Sequence, residues 1–338
     1  MQVIIIGAGM SGICMAIKLK KAKINFVILE KSSGLGGTWR DNNYPGCACD
    51  IPAHLYCYSF EMKHDWNQVY PSQPEILKYL QHCTRKYNIY PHIRFNQEVT
   101  SAHFNTQNCL WYVDTADNKT ITANILISAW GGLNLPKLPN LPSLETFKGV
   151  SFHSARWNHS FDLTDKTVAV VGTAASAVQF IPEVAKKVKQ LFIFQRTPNW
   201  ITNRDDGTYS AQMQWYFKKF PILMQLYRGL LYLRNDLISF PLFTTGSFIS
   251  KYLRKQLEKR IHQEIHDYQV RDAVMPSYQP GCKRILINND FYQSLNRKNV
   301  ALITDNIDKI TADSLVTEQG KDYKVDAIIY ATGFNSLS

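Results

Sequence analysis

At 338 residues and 45% hydrophobic content, the chain has material for about two packed domains, with no low-complexity tract to argue for disorder. A net charge of +11 suits anionic ligands or an anionic surface. Its Lys and Arg residues are dispersed and no nucleic-acid motif is present, so nucleic acid is not the expected partner. Seven scattered cysteines fit reduced thiols in the cytoplasm better than a disulfide framework, and no secretion signal is expected before the first strand.

Val3-Ile4-Ile5-Ile6 reads as a strand buried on both faces of a parallel sheet. It enters Gly7-Ala8-Gly9-Met10-Ser11-Gly12, after which Ile13, Ala16 and Ile17 keep helical spacing. Phe26-Val27-Ile28-Leu29 is a second strand ending on Glu30. The order of strand, glycine turn, helix start and acid is that of a dinucleotide site. Gly7 permits the turn, Gly9 lets a pyrophosphate reach the backbone, and Gly12 allows close helix–sheet packing. Glu30 suits a ribose with a free 2′-hydroxyl, so this site favours FAD or NAD over NADP.

Gly34-Leu35-Gly36-Gly37-Thr38-Trp39 follows, with glycines to bring backbone near a flat ligand and Trp39 as an aromatic wall. Past Tyr44-Pro45-Gly46, Asp50 is expected to be buried and paired with an arginine distant in sequence. Cys47, Cys49, His54 and Cys57 are good ligand types, but their spacing is not that of a zinc knuckle, and no metal is expected. Cys47 and Cys49 also lack the spacing of a redox dithiol. A helix is expected over 73–87, antiparallel strands within 94–115, and a buried strand at 125–129. Prolines at 136, 139 and 142 mark a stiff exit, and 147–157 reads as a linker.

Val168-Ala169-Val170-Val171 then enters Gly172-Thr173-Ala174-Ala175-Ser176-Ala177, a second turn in which two glycine positions have become alanine. Some crowding is expected there. The next strand, 191–194, ends on Gln195-Arg196-Thr197, and a cation in place of the acid suits the 2′-phosphate of NADP. Residues 205–280 break the α/β rhythm and read as a helical cap, with an amphipathic helix over 251–268. The apolar stretch 220–248 is too interrupted to span a membrane but is a candidate for weak membrane-surface contact. Strands are expected at 300–303, 307–311, 314–318 and 326–331. The fold class is therefore α/β, with two Rossmann-like dinucleotide-binding domains and a helical insertion in the second.

These motifs resemble the class B flavoprotein monooxygenases, and within them the Baeyer–Villiger type. Phe147-x-Gly149-x-x-x-His153-x-x-x-Trp157 is similar to that family's linker fingerprint, Gly37-x-Trp39 with Tyr44-Pro45-Gly46 and Asp50 to a second, and Ala331-Thr332-Gly333-Phe334 to a third. The resemblance implies FAD in the first domain and NADPH in the second, reacting with O2 and a ketone to give an ester or lactone through a flavin peroxide. Amine or sulfide oxygenation, or a non-catalytic nucleotide-binding fragment, are the alternatives. It implies that Arg284 is the catalytic cation beside the flavin, paired with Asp50. Gly7, Gly9, Ser11, Gly12, Glu30, Gly37, Thr38, Trp39, Asp50 and Tyr56 are then expected on the flavin side. Gly172, Thr173, Ser176, Arg196, Thr197 and Lys283 are expected on NADPH, with His153 and Trp157 coupling the domains. The boundaries follow: 1–140 for FAD with its β-insertion near 94–115, 141–204 and 281–325 for NADP, 205–280 helical, and 326–338 starting a return to the FAD domain that members of the family continue beyond this chain.

Overall fold

The structure is a computed structural model that describes residues 2–243 and 248–335, the side chains of 238–243 excepted. Part of the apolar stretch 220–248 and the tail of the expected return segment, 336–338, thus lie outside the described residues.

The first module opens with β1 (Gln2–Ile6), α1 (Met10–Lys21), β2 (Asn25–Leu29), a short α2 (Thr38–Asp41) and α3 (Gln73–Lys86). It continues through β3 (Ile93–Arg94), β4 (Val99–Asn105), β5 (Leu110–Thr115), β6 (Thr120–Ala123) and β7 (Ile125–Ser128). Strands β3-β2-β1-β7 form one parallel sheet, while β4-β5-β6 make an antiparallel meander beside it. The insertion is therefore three strands over 99–123, and Arg94, expected within it, belongs to the parallel sheet instead. Helix α1 buries Ile13, Ala16 and Ile17 on the sheet, each isoleucine contributing about 2 kcal/mol. Its last turn carries Lys18, Lys20 and Lys21, which suit the negative end of the helix dipole.

The second module comprises β8 (Val150–His153), β9 (Thr167–Val171), α4 (Ala175–Ala185), β10 (Gln190–Phe194) and β11 (Ile201–Thr202). Four helices follow: α5 (Ala211–Lys219), α6 (Pro221–Phe243), α7 (Phe248–Glu264) and α8 (Tyr268–Ala273). The chain then adds β12 (Leu286–Ile287), α9 (Phe291–Ser294), β13 (Val300–Ile303), β14 (Ile307–Ile310), β15 (Ser314–Thr317), β16 (Asp322–Lys324) and β17 (Ala327–Tyr330). Strands β13-β10-β9-β17-β8 are parallel, β11 pairs with β12, and β14-β15-β16 form a meander.

Three expectations are corrected here. The stretch 147–157 is not only a linker, because its residues 150–153 are the edge strand β8. Residues 327–330 do not start a return to the first domain; β17 lies between β9 and β8, inside the second sheet. Its run of four fully buried side chains, Ala327 to Tyr330, is what an interior strand requires. The amphipathic helix expected over 251–268 runs instead from 248 to 264, burying Leu257 and Ile261, and Tyr268 starts the next helix. Among the described residues no helix is long and apolar enough to cross a membrane.

One continuous core joins the modules, with Trp39, Tyr44 and Cys47 packed in the same cluster as Phe180 and Val184. The seam itself is polar. Gln179 of α4 accepts from the Tyr44 hydroxyl at 3.1 Å and the Ala48 amide at 3.3 Å, and donates to the Ala48 carbonyl at 3.1 Å.

Candidate functional site

The site begins at two turns built alike. Gly7 lies at φ +99° and Gly172 at φ +102°, and a Cβ at either would come within 2.7 Å of a backbone carbonyl oxygen, of Ala129 in one case and Ala331 in the other. Positive φ and a neighbouring backbone therefore exclude a side chain at both. The helices that follow start from Gly9 (φ −78°, ψ −171°) and Ala174 (φ −83°, ψ −168°). That is extended backbone which alanine adopts freely, so the crowding expected at 174 does not arise. Ala177 likewise fits, fully buried, where its counterpart Gly12 has no room. Neither helix has a side-chain cap, unlike α5 and α8, capped by Ser210 and Asp267. Both glycine-turn helices thus present uncapped N–H groups suited to an anion.

A cleft of about 860 Å³ opens on the first turn, within the range of a cofactor site. It is lined by Gly7, Gly9, Ser11, Glu30, Gly37, Thr38, Trp39 and Tyr56, which gathers eight of the residues expected on the flavin side. Gly9 and Gly37 face each other closely, since a Cβ on Gly37 would stand 3.1 Å from the Gly9 Cα. Trp39 donates from its indole nitrogen to the Tyr56 hydroxyl at 3.1 Å, fixing the aromatic wall. The buried Glu30 carboxylate accepts from the amides of Ala8 at 2.7 Å and Ser32 at 2.9 Å, so its position at the strand end is set. Sequence reasoning missed the other wall, made by β4 residues 99–102 and by Trp130, which is 68% exposed.

Arg284 donates from a guanidinium nitrogen to Asp50 across 234 residues of sequence. The pairing is the one expected, but the setting is not buried: the Arg284 side chain is 62% exposed and that of Asp50 26%. Water screens such a pair, which contributes under about 1 kcal/mol to stability and leaves the cation accessible. Cys49, next to Asp50, is buried, and burial pushes its thiol up to about 12, as it does that of Cys47. Both stay protonated and poorly nucleophilic at neutral pH.

On the second module Arg196 and Thr197 are exposed just beyond β10. Lys283 is exposed with its ammonium 4.8 Å from the Tyr278 ring, and the Tyr278 hydroxyl donates to the Pro198 carbonyl. Gln195, one residue before Arg196, is buried and bonded to Thr173 and to the Ala273 carbonyl. Ser176 stands in the first turn of α4, near the Tyr44 hydroxyl.

His153 and Trp157 sit where the second module meets its neighbours. His153 is buried; its Nδ1 accepts from the Ala155 amide at 3.1 Å, its ring lies edge-on to Phe334, and burial lowers its pKa. Trp157 packs edge-on to Phe152 and Phe180, and Tyr44 of the first module meets Phe180 too. His54, considered as a metal ligand, faces instead a box of Tyr209, Phe217 and Tyr227, with ring centroids 5.0, 4.9 and 5.4 Å away. It is fully buried and neither ring nitrogen has a hydrogen-bond partner among the described residues.

Two glycine-turn modules meeting at a polar seam define a two-dinucleotide-fold protein. Residues 1–337 match the flavin-binding monooxygenase-like family, and the chain belongs to it. It is 41% identical over 338 residues to a Baeyer–Villiger monooxygenase of Pseudomonas aeruginosa, and 37% identical over 335 residues to one of Streptomyces coelicolor. Each alignment covers 99% of this chain and 64% of the relative, so the chain spans about two thirds of their length. Among solved structures, a closed cyclohexanone monooxygenase superposes with a TM-score of 0.89 at 28% identity, covering 98% of this chain and 70% of that one. OTEMO in complex with FAD and NADP superposes at 0.86 and 29%, covering 98% and 71%.

Proposed function

We propose that this chain carries the FAD and NADPH sites of a Baeyer–Villiger-type monooxygenase, which uses NADPH and O2 to insert one oxygen next to a ketone carbonyl. The observation that carries the reading is the Arg284–Asp50 pair, a paired yet accessible cation brought from the second module to the first. FAD would lie in the 860 Å³ cleft, its pyrophosphate on the uncapped start of α1 and its ribose near Glu30. Gly37, Thr38, Trp39 and Tyr56 would hold its ring end. The start of α4, with Gly172, Thr173 and Ser176, would take the NADPH pyrophosphate, and Arg196, Thr197 and Lys283 its 2′-phosphate.

Bound flavin supplies two-electron transfer from the nicotinamide and oxygen activation. Arg284 offers a guanidinium to anionic charge that develops beside it, and Asp50 holds that guanidinium in place. Trp157 packs edge-on to Phe180, which Tyr44 of the first module also meets, and this supports a role for Trp157 in coupling the domains, with His153 proposed beside it on the family resemblance. Unpaired thiols at all seven cysteines support a reducing, cytoplasmic setting. The protein named for cyclohexanone among the structural neighbours supports a ketone over an amine or sulfide.

The test is Arg284→Ala in a yellow, flavin-loaded preparation. NADPH should still bleach the flavin, while ester formation from a cyclic ketone should fall by at least ~100-fold. Product at the unaltered rate would remove Arg284 from the chemistry; a thioether oxidised in preference to the ketone would change the reaction class.

A further inference from the structure

Residues 47–49 run as an extended segment between the two modules. On one edge the Cys49 amide donates to the Pro71 carbonyl at 2.9 Å and the Gln73 amide to the Cys47 carbonyl at 2.9 Å, an antiparallel bridge centred on Ala48 and Ser72. In such a pairing the backbone groups of alternate residues point to opposite edges, so the N–H and C=O of Ala48 face away from Ser72. Both meet one side chain, the Gln179 carboxamide, which accepts from the amide at 3.3 Å and donates to the carbonyl at 3.1 Å. A carboxamide carries the same donor and acceptor as a peptide group, and here it takes the place of a neighbouring strand. The Tyr44 hydroxyl donates to the same Gln179 oxygen at 3.1 Å. Gly46, at φ +78°, lets the loop lie flat against α4, for a Cβ there would stand 2.7 Å from the Gln179 backbone carbonyl oxygen.

We infer that Gln179 is a positioning residue that ties nucleotide occupancy at the start of α4 to the Arg284–Asp50 pair. The inference rests on the reading of α4 as the NADPH helix given above. Gln179 lies three residues after Ser176, so the two share one face of the helix, and the Tyr44 hydroxyl stands near both. Asp50 is two residues beyond Ala48 and holds Arg284. A dinucleotide phosphate on the uncapped N–H groups of α4 fixes that end of the helix. One turn later the same helix fixes Ala48, and hence the segment that ends on Asp50. The bridge to Ser72 holds one edge of this segment and Gln179 the other, so the loop of the first module takes its place partly from the second. Sites linked in this way act on each other by one and the same factor.

The experiment is hydrogen–deuterium exchange, read by mass spectrometry, on the FAD-loaded chain with and without saturating NADP+, for the parent and for Gln179→Met. NADP+ should slow exchange in the peptide covering 44–50 of the parent by ~5-fold or more. Gln179→Met keeps the length of the side chain and removes all three bonds. Exchange in 44–50 should then rise and no longer respond to NADP+, and calorimetric titration should show NADP+ bound more weakly by the factor lost from the exchange response. A parent that binds NADP+ with exchange in 44–50 unaltered would overturn this proposal alone. So would a Gln179→Met chain whose loop still responds, because the nucleotide would then be shielding the loop directly. A parent that fails to take up either nucleotide would overturn the functional reading and this proposal with it.

Discussion

In the first module the Ala8 amide donates to the Glu30 carboxylate at 2.7 Å; at the same register of the second, the Thr173 hydroxyl donates to the Gln195 side-chain oxygen at 3.4 Å. The surrounding backbone is matched. Gly7 donates to the Leu29 carbonyl as Gly172 does to that of Phe194, and Ala129 to Ile6 as Ala331 does to Val171. Trp130-Gly131 and Thr332-Gly333 then follow equivalent strands, with both glycines near φ +80°. What differs is charge and clearance. The first turn keeps an acid at the cleft; the second replaces it with a neutral amide tied inward, and the next residue, Arg196, turns outward. Matched backbone with opposite charge suits two nucleotides that differ by a phosphate.

Gly12 is where that comparison breaks most sharply. A Cβ there would lie 1.9 Å from the Gly7 carbonyl oxygen, so Gly12→Ala should cost at least ~4 kcal/mol and abolish flavin retention, read by urea unfolding and absorbance. The second expected effect concerns how the helical insertion leans on the first module. His54 sits among insertion aromatics, its pKa lowered to about 4 by burial and by the nearby Arg228 and Lys63 cations. Below its ordinary value of 6.5 the unfolded chain takes up a proton that the folded chain refuses. Stability should therefore fall by about 3 kcal/mol as pH drops from 6.5 towards 4. His54→Phe should flatten that slope relative to the parent, measured by urea unfolding at pH 7 and at acid pH.

Gln179→Ala should cost about 2 kcal/mol, since it removes three bonds across the seam and strands the Ala48 amide. Calorimetry should show the single transition splitting if Gln179 is what couples the modules. The smallest effect is the converse of the first. Ala177→Gly should cost only ~1 kcal/mol, the helix-propensity difference, with no gain in nucleotide affinity if the second turn already fits with alanine.

The glycine turns and their strands were legible because each rests on local backbone chemistry, and a carboxylate's need for a partner pointed from Asp50 to some distant arginine; that the arginine is Arg284 came only from the family resemblance. Strand order was not legible, since Ala327–Tyr330 reads as an interior strand of either sheet, and only pairing with β9 and β8 decides between them. The two-residue strand β3 and the four-residue strands β6 and β8 were too short to carry a period. Gln179 left no signal, because a glutamine between Val178 and Phe180 looks like the wet face of a helix until another segment arrives to bond it. His54 was read by its ligand chemistry, whereas its aromatic surroundings come from residues more than 150 positions away.

The placement of β17 also sets the timing of synthesis. The four described strands of the first sheet have been translated once Ser128 is made, so these strands can pair with one another early. In the second sheet β8 and β9 must wait for a strand made some 160 residues after β9 to slot between them, and until then the two edges it will join stand open on the ribosome. A nascent chain stalled before Ala327 should therefore expose a gap that invites chaperone capture, while one extended by an added C-terminal linker long enough for β17 to leave the ribosome should not.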